Sequence, residues 1–239
     1  MIITRPTIIL FGDSITQQGF SSSSGWVSQL SNAYTRRADV LNRGYSGYNT
    51  RHAVDLLPRV FGGDIDSTLF VTVFFGANDA SLPGVREHNQ HVPADEYEQN
   101  LKTIVSDIRK KLKQTPIILI TPPPLDENAW DDFCREQFDN LSPRSNTASK
   151  LYGERTKLVA NEFGCSLVDS FTLLGGNGDV SSYGETLDDG LHLSAKGNDL
   201  LFNGVMDVIR RDHPNLAPKV NENDSIGVPM EGAQWKELC

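Results

Sequence analysis

The chain has 239 residues, 38% hydrophobic and 22% charged with no low-complexity segment, which suits a single folded domain with a sizeable core. A formal net charge of −9 argues against the clustered Lys and Arg that hold a nucleic-acid backbone, and no apolar run reaches membrane-spanning length. The opening residues, M-I-I-T-R-P, lack the basic and apolar regions of a secretory signal, and three scattered cysteines (Cys134, Cys165, Cys239) show neither a disulfide framework nor metal-ligand spacing, so a cytoplasmic protein is expected.

In chain order, Ile8 to Phe11 is a short β-branched and aromatic run that reads as a buried strand. It breaks at Gly12 and presents Asp13 and Ser14 at its carboxyl end; Thr16, Gln17 and Gln18 read as a loop entering a helix, and Gly19 to Gly25 as a Ser/Gly-rich loop. Trp26, Val27, Leu30, Ala33 and Tyr34 recur at helical spacing and predict a helix from Trp26 to about Arg37. Asp39 to Asn42 is a second strand, ending in R-G-Y-S-G, and Thr50 to Phe61 a second amphipathic helix. Leu69 to Phe75 is apolar on both parities, as a strand covered on both faces must be, and it ends at G-A-N-D.

Ser81 to Val92 reads as a loop, and Ala94 to Lys113 as a helix faced by Tyr97, Leu101, Ile104, Val105, Ile108 and Leu112. A strand at Ile117 to Ile120 stops at three prolines, and the charged stretch from Leu125 to Pro143 is expected to be irregular. Asn146 to Phe163 is helical, Ser166 to Asp169 is the last strand, and Ser194 is a candidate N-cap for a closing helix to about Asp212. The tail from Pro214 shows no periodicity. Strands alternating with helices predict one domain over residues 1–239 (core 7–213, tail 214–239) around a five-stranded parallel sheet with helices on both faces.

Parallel strands deliver all their carboxyl ends to one edge of the sheet, so residues far apart in sequence can meet there. Ester cleavage by a serine needs a nucleophile, a base, a group that orients the base, and donors for the oxyanion. Ser14 is placed as a nucleophile. Asp189 and His192, three residues apart, can set a carboxylate against one imidazole nitrogen and leave the other for Ser14, in an arrangement that needs a neutral imidazole. Gly47 can turn a backbone N–H into the site, Asn78 offers a side-chain amide, and the Ser14 N–H is a third donor.

These residues lie in G-D-S-I-T (Gly12–Thr16), N-R-G-Y-S-G (Asn42–Gly47), G-A-N-D (Gly76–Asp79) and D-G-L-H (Asp189–His192). Their order and spacing resemble the four blocks of the SGNH (GDSL) hydrolases. The segment T-P-P-P-L-D at Thr121–Asp126, with Trp130 after it, is similar to the isoamyl acetate-hydrolysing esterase branch of that family. The resemblance implies a flavodoxin-like α/β/α sandwich, Ser14 as nucleophile, Gly47 and Asn78 as oxyanion donors, and His192 as a base oriented by Asp189. It implies no cofactor and no metal, with a small ester as partner. The sequence leaves open a homodimer, for which the tail is a candidate contact. Ile15 stands where many members have leucine.

Each choice has a plainer counterpart. Asp188 competes with Asp189, Gly44 with Gly47, and Asn78 can simply tie a turn. Asp13 is expected to brace its loop rather than react. His52, His88, His91 and His213 have no partner pattern, and Arg36, Arg37, Arg51 and Arg109-Lys110-Lys111 read as solvated helix faces. Trp130 and Phe133 either line the acyl pocket or pack a loop. The same site could serve a thioesterase, a lysophospholipase or a carbohydrate deacetylase. From other classes come a flavodoxin-like binding module holding phosphate at a helix N-terminus and a metal-dependent hydrolase using Asp13, Asp189 and His192. A G-x-S-x-G elbow, the mark of an α/β-hydrolase, is absent from the sequence.

Overall fold

Five apolar runs pair into one sheet in the computed structural model of the chain, which describes residues 5–20, 24–83, 90–138, 143–221 and 223–231. The strands are β1 (Thr7–Gly12), β2 (Asp39–Gly44), β3 (Thr68–Phe74), β4 (Ile117–Ile120) and β5 (Ser166–Val168), in the order β2-β1-β3-β4-β5. Every pairing is parallel. In chain order the helices among the described residues are α1 (Ser14–Gln17), α2 (Trp26–Ala33), α3 (Thr50–Val60), α4 (Ala94–Lys111), α5 (Glu127–Phe138), α6 (Asn146–Phe163), α7 (Ser170–Leu173), α8 (Val180–Tyr183) and α9 (Ala195–Asp212).

Side chains alternate across a strand, so each strand feeds two cores. Ile8, Leu10, Phe70, Phe74, Ile118 and Ile120 pack with Trp26 and Leu30 of α2 and Leu201, Val205 and Ile209 of α9. Ile9, Phe11, Val71, Val73, Ile117 and Leu119 pack with α3, α4 and α6. The result is the three-layer flavodoxin-like sandwich. Its strand order reverses direction between β1 and β3, at the crevice where open α/β sheets place their ligands. The chain leaves β1 for β2 on one side and returns to β3 on the other. The residues after β2 and β3 therefore flank the residue after β1.

Local chemistry sets the element ends. Ser194 Oγ accepts from the Gly197 N–H at 3.3 Å and caps α9, as expected. Asn49 and His52 form a capping box on α3, which gives His52 a structural role. His213 Nε2 lies 2.9 Å from Ser166 Oγ, and His91 Nδ1 lies 2.7 Å from the Ser81 carbonyl; His88 falls outside the described residues. The predicted loop at Ser81–Val92 is described only in part, because residues 84–89 lie outside.

Four expectations need correction. Thr16, Gln17 and Gln18 are not a loop: Ser14–Gln17 form the helical turn α1, and a 3-10 turn at Gln18–Phe20 takes the start of the predicted Gly19–Gly25 loop, of which residues 21–23 lie outside the described residues. Helix α2 stops at Ala33, four residues early. The N–H groups of Arg37 and Ala38 both return to the Tyr34 carbonyl, and Arg36 takes φ +61°, a turn that feeds β2. The stretch called irregular holds the twelve-residue helix α5, whose Ala129 N–H is received by Asp126 Oδ1 at 3.1 Å. Trp130, Phe133 and Cys134 form an apolar stripe too narrow to stand out among seven polar residues.

The last correction concerns the arginines. Arg37 is 9% exposed, and its guanidinium donates to the Val228 carbonyl. Arg36 holds the Glu231 carbonyl, and Tyr34 Oη donates to the Leu216 carbonyl at 2.7 Å, so both residues clamp the described part of the tail. Arg109 donates to the Phe163 carbonyl at the end of α6, while Arg51 does pair at the surface with Glu96. No helix among the described residues is long and apolar enough to cross a membrane.

Candidate active site

Strand β1 delivers Asp13 and Ser14 to the carboxyl edge of the sheet. Asp13 Oδ1 accepts the Ile15 N–H at 2.9 Å and caps α1, bracing the turn as expected. Gly12 and Gly44 are required by contact. A Cβ at Gly12 would lie 2.1 Å from Thr16 Oγ1, and one at Gly44 would lie 2.1 Å from the Gln17 nitrogen. Asn42 Nδ2 donates to the Thr16 carbonyl at 2.9 Å and ties β2 to α1.

Ser14 Oγ lies 2.9 Å from His192 Nε2, and His192 Nδ1 lies 2.6 Å from Asp189 Oδ2. The other oxygen of Asp189 accepts the N–H groups of Leu191 at 2.9 Å and His192 at 2.7 Å. The carboxylate and the ring it touches thus belong to one closed turn. Gly190 permits that turn with φ +90°, where a Cβ would meet the Trp130 nitrogen at 2.4 Å. Burial alone would raise the Asp189 carboxyl, but the His192 hydrogen bond and charge and the two N–H donors outweigh it, holding the group below the usual carboxylate range. Asp188, the competing residue, instead gives its backbone N–H to the His192 carbonyl at 2.8 Å.

Gly47 and Asn78 stand on either side of Ser14, as the strand order requires. Gly47 holds φ +79°, and neither its N–H nor that of Ser14 takes an acceptor among the described residues. Asn78 Nδ2 donates one hydrogen to the Tyr48 carbonyl at 2.8 Å and has a second one to give. Ser14, Gly47, Asn78 and His192 line one cavity of about 280 Å³, open to solvent. Trp130 and Phe133 form its apolar wall, with their rings stacked 5.5 Å apart and Trp130 edge-on to His192 at 6.2 Å. The pair meets both expectations, lining this cavity and packing into the core that α5 covers.

Two lining residues have no counterpart in the sequence reading. Arg144, 8% exposed, donates to the Ala77 carbonyl, to Asn78 Oδ1 at 3.1 Å and to Gln90 Oε1 at 2.9 Å, and lies over the Trp130 ring at 5.1 Å. Gln90 Nε2 passes the contact on to the Gly47 carbonyl at 2.9 Å. Burial lowers the Arg144 guanidinium to about 10, against the charges of Asp13, Cys134, Asp79 and Asp189, so it stays a cation at neutral pH. A lone Arg between Pro143 and a helix cap carries no motif, so only the assembled fold shows its place.

Beneath the site lies Asp79, fully buried. Its Oδ1 accepts the Thr50 N–H at 2.9 Å and the Thr50 hydroxyl, while Oδ2 has no partner. Burial pushes this carboxyl up to about 7 against the Thr50 hydrogen bonds, and burial likewise lifts Asp13 to about 6. An acid that titrates higher when folded than when unfolded binds more protons in the native state, so its contribution to stability falls as pH rises between the two values. Asp79→Asn keeps the Oδ1 acceptor and removes the titration. Between pH 5 and pH 8 its stability relative to the parent should improve by about 3 kcal/mol, read from urea unfolding at both pH values. An unchanged difference would show that Asp79 does not titrate in this range.

Among the described residues, no group of three or more His, Cys, Asp or Glu side chains is disposed to hold a metal ion. A family model described as the GDSL-like Lipase/Acylhydrolase family matches residues 10–200. The isoamyl acetate-hydrolyzing esterase 1 homolog of Homo sapiens is 43% identical over 214 residues, covering 88% of this chain and 84% of its own. The Mus musculus homolog of the same name is 45% identical over 237 residues, covering 98% and 88%. Among solved structures, the lipase/acylhydrolase of Enterococcus faecalis superposes with a TM-score of 0.67 at 26% identity, covering 90% of this chain and all of that one.

Proposed function

The chain belongs to the GDSL-like lipase/acylhydrolase family and is a carboxylic ester hydrolase, and from that premise we propose that it cleaves short-chain, acetate-type esters through an acyl-enzyme on Ser14. The observation that carries this reading is the unbroken line Ser14 Oγ, His192, Asp189, with contacts of 2.9 and 2.6 Å, at a cavity that a small ester can enter. Ser14 Oγ attacks the ester carbonyl carbon while its proton passes to His192 Nε2. Asp189 fixes the tautomer and stabilises the imidazolium. The oxyanion takes hydrogen bonds from the Ser14 and Gly47 N–H groups and the second hydrogen of Asn78 Nδ2. Collapse breaks the bond to the alcohol, which leaves with the proton from His192. Water then repeats the sequence on the acyl-enzyme and releases the acid.

The acetate-type preference rests on the named mammalian relatives and on the limited cavity walled by Trp130 and Phe133. A series of p-nitrophenyl esters from acetate to palmitate tests it. We expect kcat/KM to be highest at acetate to butyrate and to fall by at least about tenfold by palmitate, since an acyl chain longer than the pocket clashes with the Trp130 and Phe133 wall when its carbonyl reaches Ser14. A maximum at long chains would move the assignment to a lysophospholipase or a long-chain thioesterase.

A further inference from the structure

Resting on the assignment of Asn78 and Gly47 as oxyanion donors, we propose that Arg144 is the positioning residue of the oxyanion site, fixing both donors through one guanidinium nitrogen. Arg144 Nη2 reaches Asn78 Oδ1 at 3.1 Å and Gln90 Oε1 at 2.9 Å, and Gln90 Nε2 reaches the Gly47 carbonyl at 2.9 Å. Its Nη1 is anchored on the Ala77 carbonyl, so the planar fork cannot turn away without breaking several bonds.

The consequences for the two donors differ. A primary amide has two orientations related by a half-turn, and the cation decides which one Asn78 adopts: oxygen toward Arg144, nitrogen toward Tyr48 and the cavity. A charged donor on the amide oxygen also draws electron density from the nitrogen, which makes the remaining N–H a stronger donor to a developing oxyanion. At Gly47 the effect is geometric. The Gln90 bond goes to the carbonyl of that residue, whereas its N–H belongs to the preceding peptide, so the bond holds the φ +79° turn without polarising the donor. Trp130 closes the other side of the guanidinium, keeping water from competing for it. This work is realised as charge builds on the carbonyl oxygen, so it should appear in kcat rather than in KM.

The test is a double-mutant cycle on p-nitrophenyl acetate. Arg144→Met is expected to lower kcat about 10- to 100-fold, with KM within about threefold of the parent. In the Asn78→Ala background, the same substitution should cost at least threefold less than it does alone, because the donor it positions is gone. Arg144→Lys keeps the charge but lacks the second nitrogen that anchors the fork on the Ala77 carbonyl, so it cannot fix both amide oxygens, and its cost should shrink in that background in the same way; it replaces Arg144→Met in the cycle if the latter does not fold. A cost that shrinks less than threefold, or one carried by KM, would make Arg144 a merely structural residue and overturn the proposal. If Asn78→Ala alone leaves kcat unchanged, the assignment of Asn78 as an oxyanion donor fails, which is a separate result.

Discussion

Ser14→Ala should lower kcat by about 10⁴- to 10⁶-fold while the fold survives, because removing the nucleophile of a serine hydrolase leaves only binding and oxyanion stabilisation. The structure gives reason to expect that separation. Ser14 is at the first position of α1 and buried, and its hydroxyl meets His192 Nε2. Alanine is well tolerated at a helix start that is capped by Asp13, so stability should change by less than about 1 kcal/mol. A variant that keeps more than about 1% of the parental rate with an intact fold would contradict the role of Ser14.

Asp189→Asn should cost about 10⁴-fold in kcat, through the tautomer rather than through the fold. Asparagine preserves the Oδ1 that receives the Leu191 and His192 N–H groups, so the D-G-L-H turn keeps its closure. The atom facing His192 Nδ1 becomes an NH2 donor in place of a carboxylate acceptor. The ring must then carry its proton on Nε2, pointed at Ser14 Oγ, where it can no longer accept one. Acidification to pH 5 should not mimic this substitution at Asp189, because the carboxyl is held below the usual carboxylate range and stays ionised there. A loss of less than about tenfold for Asp189→Asn would show that another acceptor orients the imidazole.

What could be read in advance, and what could not, divides along a physical line. Strand β4 and helix α6 fall where the sequence predicts, because proline, Ser145 and Gly164 mark their ends with local chemistry. The meeting of Ser14 with His192 across 178 positions was legible for a different reason. Parallel strands share one carboxyl edge, and three residues are enough to set Asp189 against the ring. Helix α5 was hidden because its buried Trp130 and Cys134 and half-buried Phe133 are outnumbered by the charges of Glu127, Asp131, Asp132, Arg135 and Glu136. Arg144 and Arg37 were hidden more deeply. A buried guanidinium is specified by carbonyls from other parts of the chain, Ala77 in one case and Val228 in the other, and nothing adjacent in sequence announces them.

Active-site labelling by a fluorophosphonate followed by peptide mass spectrometry puts the central assignment to its most direct test, since the probe phosphonylates only an activated serine held beside oxyanion donors. The expected result is one adduct per chain on the peptide carrying Ser14, absent from Ser14→Ala and strongly slowed in Asp189→Asn. An adduct on another residue, or an active parent enzyme that takes no label, would contradict the account.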